Sequence, residues 1–320
     1  MQNKHRIKQP ISDLDPRIAC DFKALFLIKN QAVGFDFLGH QKARSVLSGR
    51  HQSQFRGRGL NFEELRHYQK GDDIRTLDWR VTLRTGKPHV RAYTEEKDHQ
   101  VVLCVDQRRN MFFSSVDTMK SVIAAEIATL CGWRILADND RIGALVFDDE
   151  KQQWFEPQRN QYQIMRLMRH LATSTQHLSS AESLAKSDQT EQPFIKMLQQ
   201  LVRTNAKNRV YIFISDFHDL TAEAVALIKK IQLHNNVLSV MINDPMEQKL
   251  DIDSSLIVSD GQWQLRIESS DTELAQKFTD EFNQTKQNLS DLLKSQKIPL
   301  ISLDTAGSHI MQFKKALGAR

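Results

Sequence analysis

Two aspartates stand directly after apolar runs in this sequence: Asp106 follows residues 101–105, and Asp216 follows residues 209–214 with Ser215 between. Gln107-Arg108-Arg109-Asn110 come immediately after the first. Two carboxylates and an amide oxygen are the donors a hard divalent cation takes. Arg108 argues the other way, because a guanidinium set among carboxylates supplies the positive charge itself. Asp106, Asn110 and Asp216, with Arg108 among them, therefore mark the strand ends as the place where ligand chemistry would gather. The same aspartates and Asn110, with Arg108 and Arg109, form the expected partner-binding rim. Loops at strand ends vary without disturbing a core, and Arg is favoured where interfaces concentrate their energy.

Other chemistries find less support. The sequence holds no G-x-x-x-x-G-K-[ST] phosphate loop and no H-E-x-x-H. Cys20, Cys104 and Cys131 lie far apart, and neither they nor the eleven histidines show zinc spacing. Ser215, Asp216 and His218 are neighbours in sequence without a nucleophile elbow. No catalytic residues are assigned, and no enzymatic activity is expected; a hydrolase ranks third among the functional readings.

A second stretch, residues 57–98, sets charges among aromatics and glycines. Gly57, Gly59, Phe62, Leu65, Arg66, Tyr68, Gly71, Asp72, Asp73, Arg75, Asp78 and Trp79 give the pattern G-x-G-x-x-F-x-x-L-R-x-Y-x-x-G-D-D-x-R-x-x-D-W. Arginine forks bind carboxylates in a fixed plane and stack on rings, so partly buried pairs among Arg66, Arg75, Asp73 and Asp78 are expected.

This pattern resembles the signature of the bacterial domain-of-unknown-function-58 family. The resemblance implies a family-specific N-terminal extension followed by a von Willebrand factor A-like domain, a Rossmann-like α/β fold with a mostly parallel sheet and helices on both faces. It also implies work beside a MoxR-type AAA+ ATPase. A-domains hold their cation with D-x-S-x-S after the first strand, and Arg108 replaces the first of those serines here, so the resemblance makes Asp106, Asn110 and Asp216 a degenerate metal site at which Mg²⁺ is expected to bind weakly or not at all. The function expected is that of a non-enzymatic adaptor or co-chaperone, acting with the ATPase on a client protein.

Composition fits a globular chain: 40% of the 320 residues are hydrophobic and 26% charged. The net charge of +5 is uneven, with 19 Lys/Arg against 12 Asp/Glu in residues 1–100 and 25 against 27 in the remainder. That basic excess motivates the alternative reading, a nucleic-acid-associated protein, although no groove-reading or stacking motif accompanies it. The basic N-terminus lacks the apolar core of a signal peptide, and no run reaches the roughly 18–20 apolar residues of a membrane helix. The chain reads as cytoplasmic, without direct membrane insertion.

The elements that must position the aspartates follow from periodicity. Residues 1–16 read as a mobile tail and 17–98 as the extension, with a helix at 17–27, a turn of helix at 43–47 and a basic loop from Arg44 to Arg58. A helix at 62–68 capped by Asn61, a second helix capped by Asp72 or Asp73, and a strand at 89–94 complete it. Residues 99–306 alternate strands and helices as a parallel sheet requires, and 307–320 form a C-terminal helix or tail. Strands are expected at 101–105, 141–147, 153–155, 209–214, 237–242 and 298–303. Helices are expected at 118–136, 162–171, 194–203, 222–234 and 272–294, with a surface loop or weak helix at 172–192 and a small hairpin near Ile257 and Leu265.

Overall fold

The computed structural model describes residues 15–35, 60–95, 99–179, 192–218, 220–248, 256–259, 264–267, 284, 287 and 298–318. The chain divides into two compact units, residues 37–98 and residues 1–36 with 99–320. The division moves the sequence-based boundary: residues 17–36 join the sheet unit, not the extension. Helix α1, Phe22–Leu27, shows why. Asp21 caps it by accepting the Ala24 NH, Leu25 is fully buried, and Phe26 meets Trp133 edge-on at 5.8 Å. Apolar spacing finds such a helix but does not encode which distant core receives it.

Residues 60–95 form a hairpin with a helix between its strands. Strand β1, Leu60–His67, was expected as a helix; it pairs antiparallel with β2, His89–Glu95. Asn61 sits opposite Thr94 in this ladder and does not cap a helix. A full set of backbone bonds to a neighbouring strand outweighs the small helix preference of a short segment. Gly71 makes a turn, with φ at 113°. Asp73 then caps only a 3₁₀ turn, Ile74–Thr76, and a separate helix α2, Trp79–Thr85, begins at Asp78, which accepts the Arg80 and Val81 NH groups at 3.0 and 3.1 Å.

The ion pairs of the signature differ in partner from the expected ones. Arg66 forks onto Asp72 at 2.7 and 2.8 Å, and Arg91 reaches Asp78 through Nε at 2.8 Å. These guanidinium bonds, helped by backbone NH groups, hold both carboxyls below their ordinary pKa. Arg75 is exposed and makes no such pair among the described residues, while Asp73 serves as a cap. Of the other signature residues, Tyr68 is half-buried, Leu65 and Trp79 are exposed, Phe62 lies in β1, and Gly57 and Gly59 fall outside the described residues, as do residues 43–47 and the basic loop to Arg58.

The larger unit is an α/β domain built on a mostly parallel sheet. In chain order it contains β3 (Gln100–Asp106), α3 (Lys120–Ala137), β4 (Arg141–Phe147), β5 (Gln152–Gln158), α4 (Gln161–Leu178), α5 (Pro193–Arg203), β6 (Arg209–Ser215), α6 (Ala222–Gln232), β7 (Asn236–Asn243), α7 (Pro245–Gln248), β8 (Leu256–Ser259), β9 (Gln264–Ile267), β10 (Leu300–Asp304) and α8 (His309–Ala316). Six strands form one sheet in the order β10-β7-β6-β3-β4-β5, all parallel except β5. β8 and β9 make the expected small hairpin. Val102 and Cys104 of β3 share a core with Tyr211 and Phe213 and with Phe194, Leu198 and Ile228 of α5 and α6. The alternate residues Val101, Leu103 and Val105 belong to the opposite face, where α3 packs. A Cβ at Gly132 of α3 would lie 2.6 Å from Ile142 and 2.7 Å from Ile164, so this glycine permits the close approach of α3 to β4 and α4.

Two boundaries shift. α4 continues to Leu178, so the first part of the stretch expected as a surface loop or weak helix is helical, because Ala172, Thr175 and Leu178 prolong its buried stripe. Thr175 hides that stripe in sequence; its hydroxyl accepts the Cys20 NH at 3.1 Å. α8 is part of the sheet unit, with Phe313 fully buried. The helix expected at 272–294 lies outside the described residues apart from Gln284 and Gln287. Among the described residues no helix is long and apolar enough to cross a membrane.

Candidate functional site

Neighbouring strands β3 and β6 leave the middle of the sheet in opposite directions along the chain, to β4 and to β7. Such a switch point opens a crevice beyond the strand ends, where doubly wound sheets gather their ligands. Asp106 ends β3 and Asp216 follows β6, so both carboxylates reach this address. The loop joining β3 to α3 brings Arg108, Arg109 and Asn110 there as well, through a 3₁₀ turn at Arg109–Met111.

Arg108 folds back onto Asp106. Its Nε lies 3.0 Å from Oδ1, one terminal nitrogen 2.7 Å from Oδ2, and its backbone NH also donates to Oδ1 at 3.0 Å. Ser215 Oγ adds a fourth donor, 2.6 Å from Oδ2. The guanidinium stands 5.6 Å from the Phe147 ring and 5.8 Å from the Phe194 ring, and 3.9 Å from Asp216. Asp106 is 0% exposed and Arg108 2%. A planar, delocalised cation is the one best suited to such a site, because it forks onto a carboxylate and tolerates aromatic walls.

Asp216 is served from three sides. Asn110 Nδ2 donates to its oxygens at 2.9 and 3.1 Å, the His218 NH donates at 3.1 Å, and Lys120 Nζ lies 3.7 Å away. Burial pushes its pKa up, and Lys120 is the strongest influence holding it down. Lys120, almost fully buried, also pairs with Glu247 and lies 5.5 Å from the Phe113 ring. Beside it, Asp244 accepts bonds from the Ser115 NH at 2.7 Å, from the Ser115 and Thr305 hydroxyls and from the Met246 NH at 2.8 Å. Burial would raise Asp244, but these donors win and hold its pKa below the ordinary value.

The donor set does not fit a divalent cation. Both Asp106 oxygens face the guanidinium, and Asn110 turns its NH₂ group, not its oxygen, toward Asp216. Two cationic side chains lie within 4.0 Å of Asp216. A divalent ion would have to displace Arg108 and accept repulsion from Lys120.

The expected rim separates into two layers. Asp106 and Arg108 are its buried floor, so they are not docking residues themselves; Asp216 belongs to the same layer. Arg109 and Asn110 are half-buried above it, with the Arg109 NH held by Asp149 at 2.8 Å. Burial raises the Asp149 pKa. Phe113 and Val116, further along the same loop, are exposed at 38% and 58%. The three thiols are buried, and burial raises each of their pKa values, which removes them from nucleophilic chemistry.

Sequence reasoning missed Lys120, Glu247, Asp244, Ser115 and Thr305. Lys120 carried a usable signal: a lone cation in the first turn of an apolar helix opposes the helix dipole and needs carboxylates nearby. Glu247, Asp244 and Thr305 carried none, since only the sheet order brings their loops to this end.

The chain matches the family described as "Protein of unknown function DUF58" over residues 64–288. It belongs to the DUF58 family. Among curated proteins it is 24% identical over 292 residues to the uncharacterized protein Mb1516 of Mycobacterium bovis, covering 91% of this chain and 86% of that one. The uncharacterized protein Rv1480 of Mycobacterium tuberculosis gives the same identity and coverage. Among solved structures, the conserved hypothetical protein BatB from Bacteroides thetaiotaomicron is 14% identical with a TM-score of 0.40, over 69% of this chain and 97% of that chain. The signature of this DUF58 chain lies partly upstream of the matched span, which begins at Glu64 inside β1.

Proposed function

We propose that this DUF58 protein is a non-enzymatic interaction module, an adaptor or co-chaperone of a MoxR-type AAA+ ATPase in the assembly or maturation of a client protein in the cytoplasm. One observation carries the reading: the crevice at the switch point is closed by its own ion pairs, while the loop above it presents apolar side chains. Arg108 and Lys120 neutralise the buried carboxylates, so the floor is rigid and spent. Phe113 and Val116 face solvent on the loop that this floor supports, beside half-buried Arg109. A rigid base under an exposed aromatic and an arginine suits protein recognition, where such residues carry most of the energy. The ATPase as partner rests on the family resemblance.

The test is capture of the purified ATPase from the same organism by the tagged chain. Wild type is expected to retain it, and Arg109→Glu to retain it several-fold less while melting as wild type does. Equal capture by a folded Arg109→Glu variant would move docking away from the rim. No capture by wild type would remove the ATPase from the reading.

A further inference from the structure

The hairpin unit carries a feature that the rim does not explain. Residues 37–98 hold 13 Lys/Arg against 8 Asp/Glu, whereas the rest of the chain balances at 31 against 31. The whole net charge of +5 therefore resides in one unit of 62 residues. Its acidic groups are also partly engaged: Asp72 and Asp78 are taken by Arg66 and Arg91, and Asp73 caps a turn. Arg75, Arg80, Arg84 and Lys87 are exposed and make no ion pair among the described residues.

Helix α2 sorts these cations beside apolar side chains. At 3.6 residues per turn, Trp79 and Leu83 form one i, i+4 pair and Arg80 and Arg84 the adjacent one. The other side, with half-buried Val81 and Thr82, faces β2, where Thr82 Oγ1 accepts the His89 NH at 3.1 Å. The outer side is thus Trp79 at 62% exposure and Leu83 at 83%, flanked by two arginines, with Ile74 of the preceding turn at 64%. Both features cost stability in water: like charges at i, i+4 repel, and the apolar surface stays hydrated.

We infer that the outer face of α2 is a peripheral docking site for an anionic phospholipid surface. Tryptophan and leucine enter the boundary between headgroups and acyl chains, where an amphipathic indole is favoured. Arg80 and Arg84 lie next to them on the helix, so their stems can follow the apolar residues while their heads meet lipid phosphates. The net charge of the unit adds attraction that needs no stereospecific match. Nucleic acid accounts for the arginines but has no use for exposed Leu83 and Ile74. An acidic protein is the other polyanion, and a convex two-turn helix whose surrounding cations are all exposed suits a diffuse surface better than a fitted one. This inference does not depend on the ATPase reading.

Co-sedimentation of the full chain with vesicles tests it, using phosphatidylcholine alone and phosphatidylcholine mixed with phosphatidylglycerol. Binding is expected only with phosphatidylglycerol present, weakening as salt rises. Arg80→Glu with Arg84→Glu, and separately Trp79→Ser with Leu83→Ser, are each expected to lower affinity at least about tenfold. All four side chains are exposed, so the variants should keep the wild-type far-UV dichroism, and Trp79→Phe should retain binding. Absence of wild-type binding to either vesicle overturns the inference. So does binding that survives both double substitutions, or loss with the charge reversals but not with the apolar pair, which would assign the cations to nucleic acid or an acidic protein.

Discussion

Arg108→Met is expected to destabilise the sheet unit by about 3–5 kcal/mol, the cost of leaving a buried carboxylate without its partner. Asp106 is 0% exposed and keeps only the Ser215 hydroxyl and the residue 108 backbone NH once the guanidinium is gone. At about 2–4 °C per kcal/mol for a domain of this size, the melting temperature should fall by about 10 °C. The double variant Arg108→Met with Asp106→Asn should recover most of the loss, because it removes both charges together and leaves an amide that Ser215 can still serve. Thermal denaturation of the two variants and wild type measures the coupling. If Arg108→Met melts as wild type does, the pair does not close the crevice.

Lys120→Met carries the second large effect, about 3 kcal/mol or more at neutral pH, since Asp216 and Glu247 then share a nearly buried site without their ammonium group. Its pH dependence has a definite sign. Burial already raises the Asp216 pKa above its unfolded value, and Lys120 is the largest influence opposing that rise. Removing Lys120 raises it further. A carboxyl with a raised folded-state pKa favours the folded state once protonated, and that contribution is lost as pH rises through the folded value. The stability gap between Lys120→Met and wild type should therefore narrow on acidification from neutral pH through the raised Asp216 pKa. A gap that stays constant over that window would mean that Asp216 is not the group left exposed to the deficit.

How much of this was legible differs by element. The strands of the sheet read clearly because fully buried parallel strands are continuous apolar runs, as residues 101–105 and 209–214 are. β1 misled because Phe62, Leu65 and Arg66 also suit a helical turn, and the partner that decides the matter, β2, lies more than twenty residues downstream. The signature announced arginine–carboxylate pairs without naming them: Asp72, Asp73 and Asp78 are close in sequence, and only the turn at Gly71 hands Asp72 to Arg66. At the crevice, Asp106, Arg108, Asn110 and Asp216 were visible as types at strand ends. Their division into a buried floor and a half-buried rim was not, since it depends on the rings of Phe147 and Phe194 closing over Arg108.

Calorimetric titration of Mg²⁺ and Mn²⁺ into the wild-type chain tests the central claim most directly, namely that the Arg108 guanidinium fills the place between Asp106 and Asp216 that a divalent cation would need. No binding heat is expected from either ion, and thermal stability should be the same with metal and with chelator. Micromolar affinity for Mg²⁺ that Asp106→Ala abolishes would contradict the account, because it would require the ion to displace Arg108 from the carboxylate it now holds at 2.7 Å.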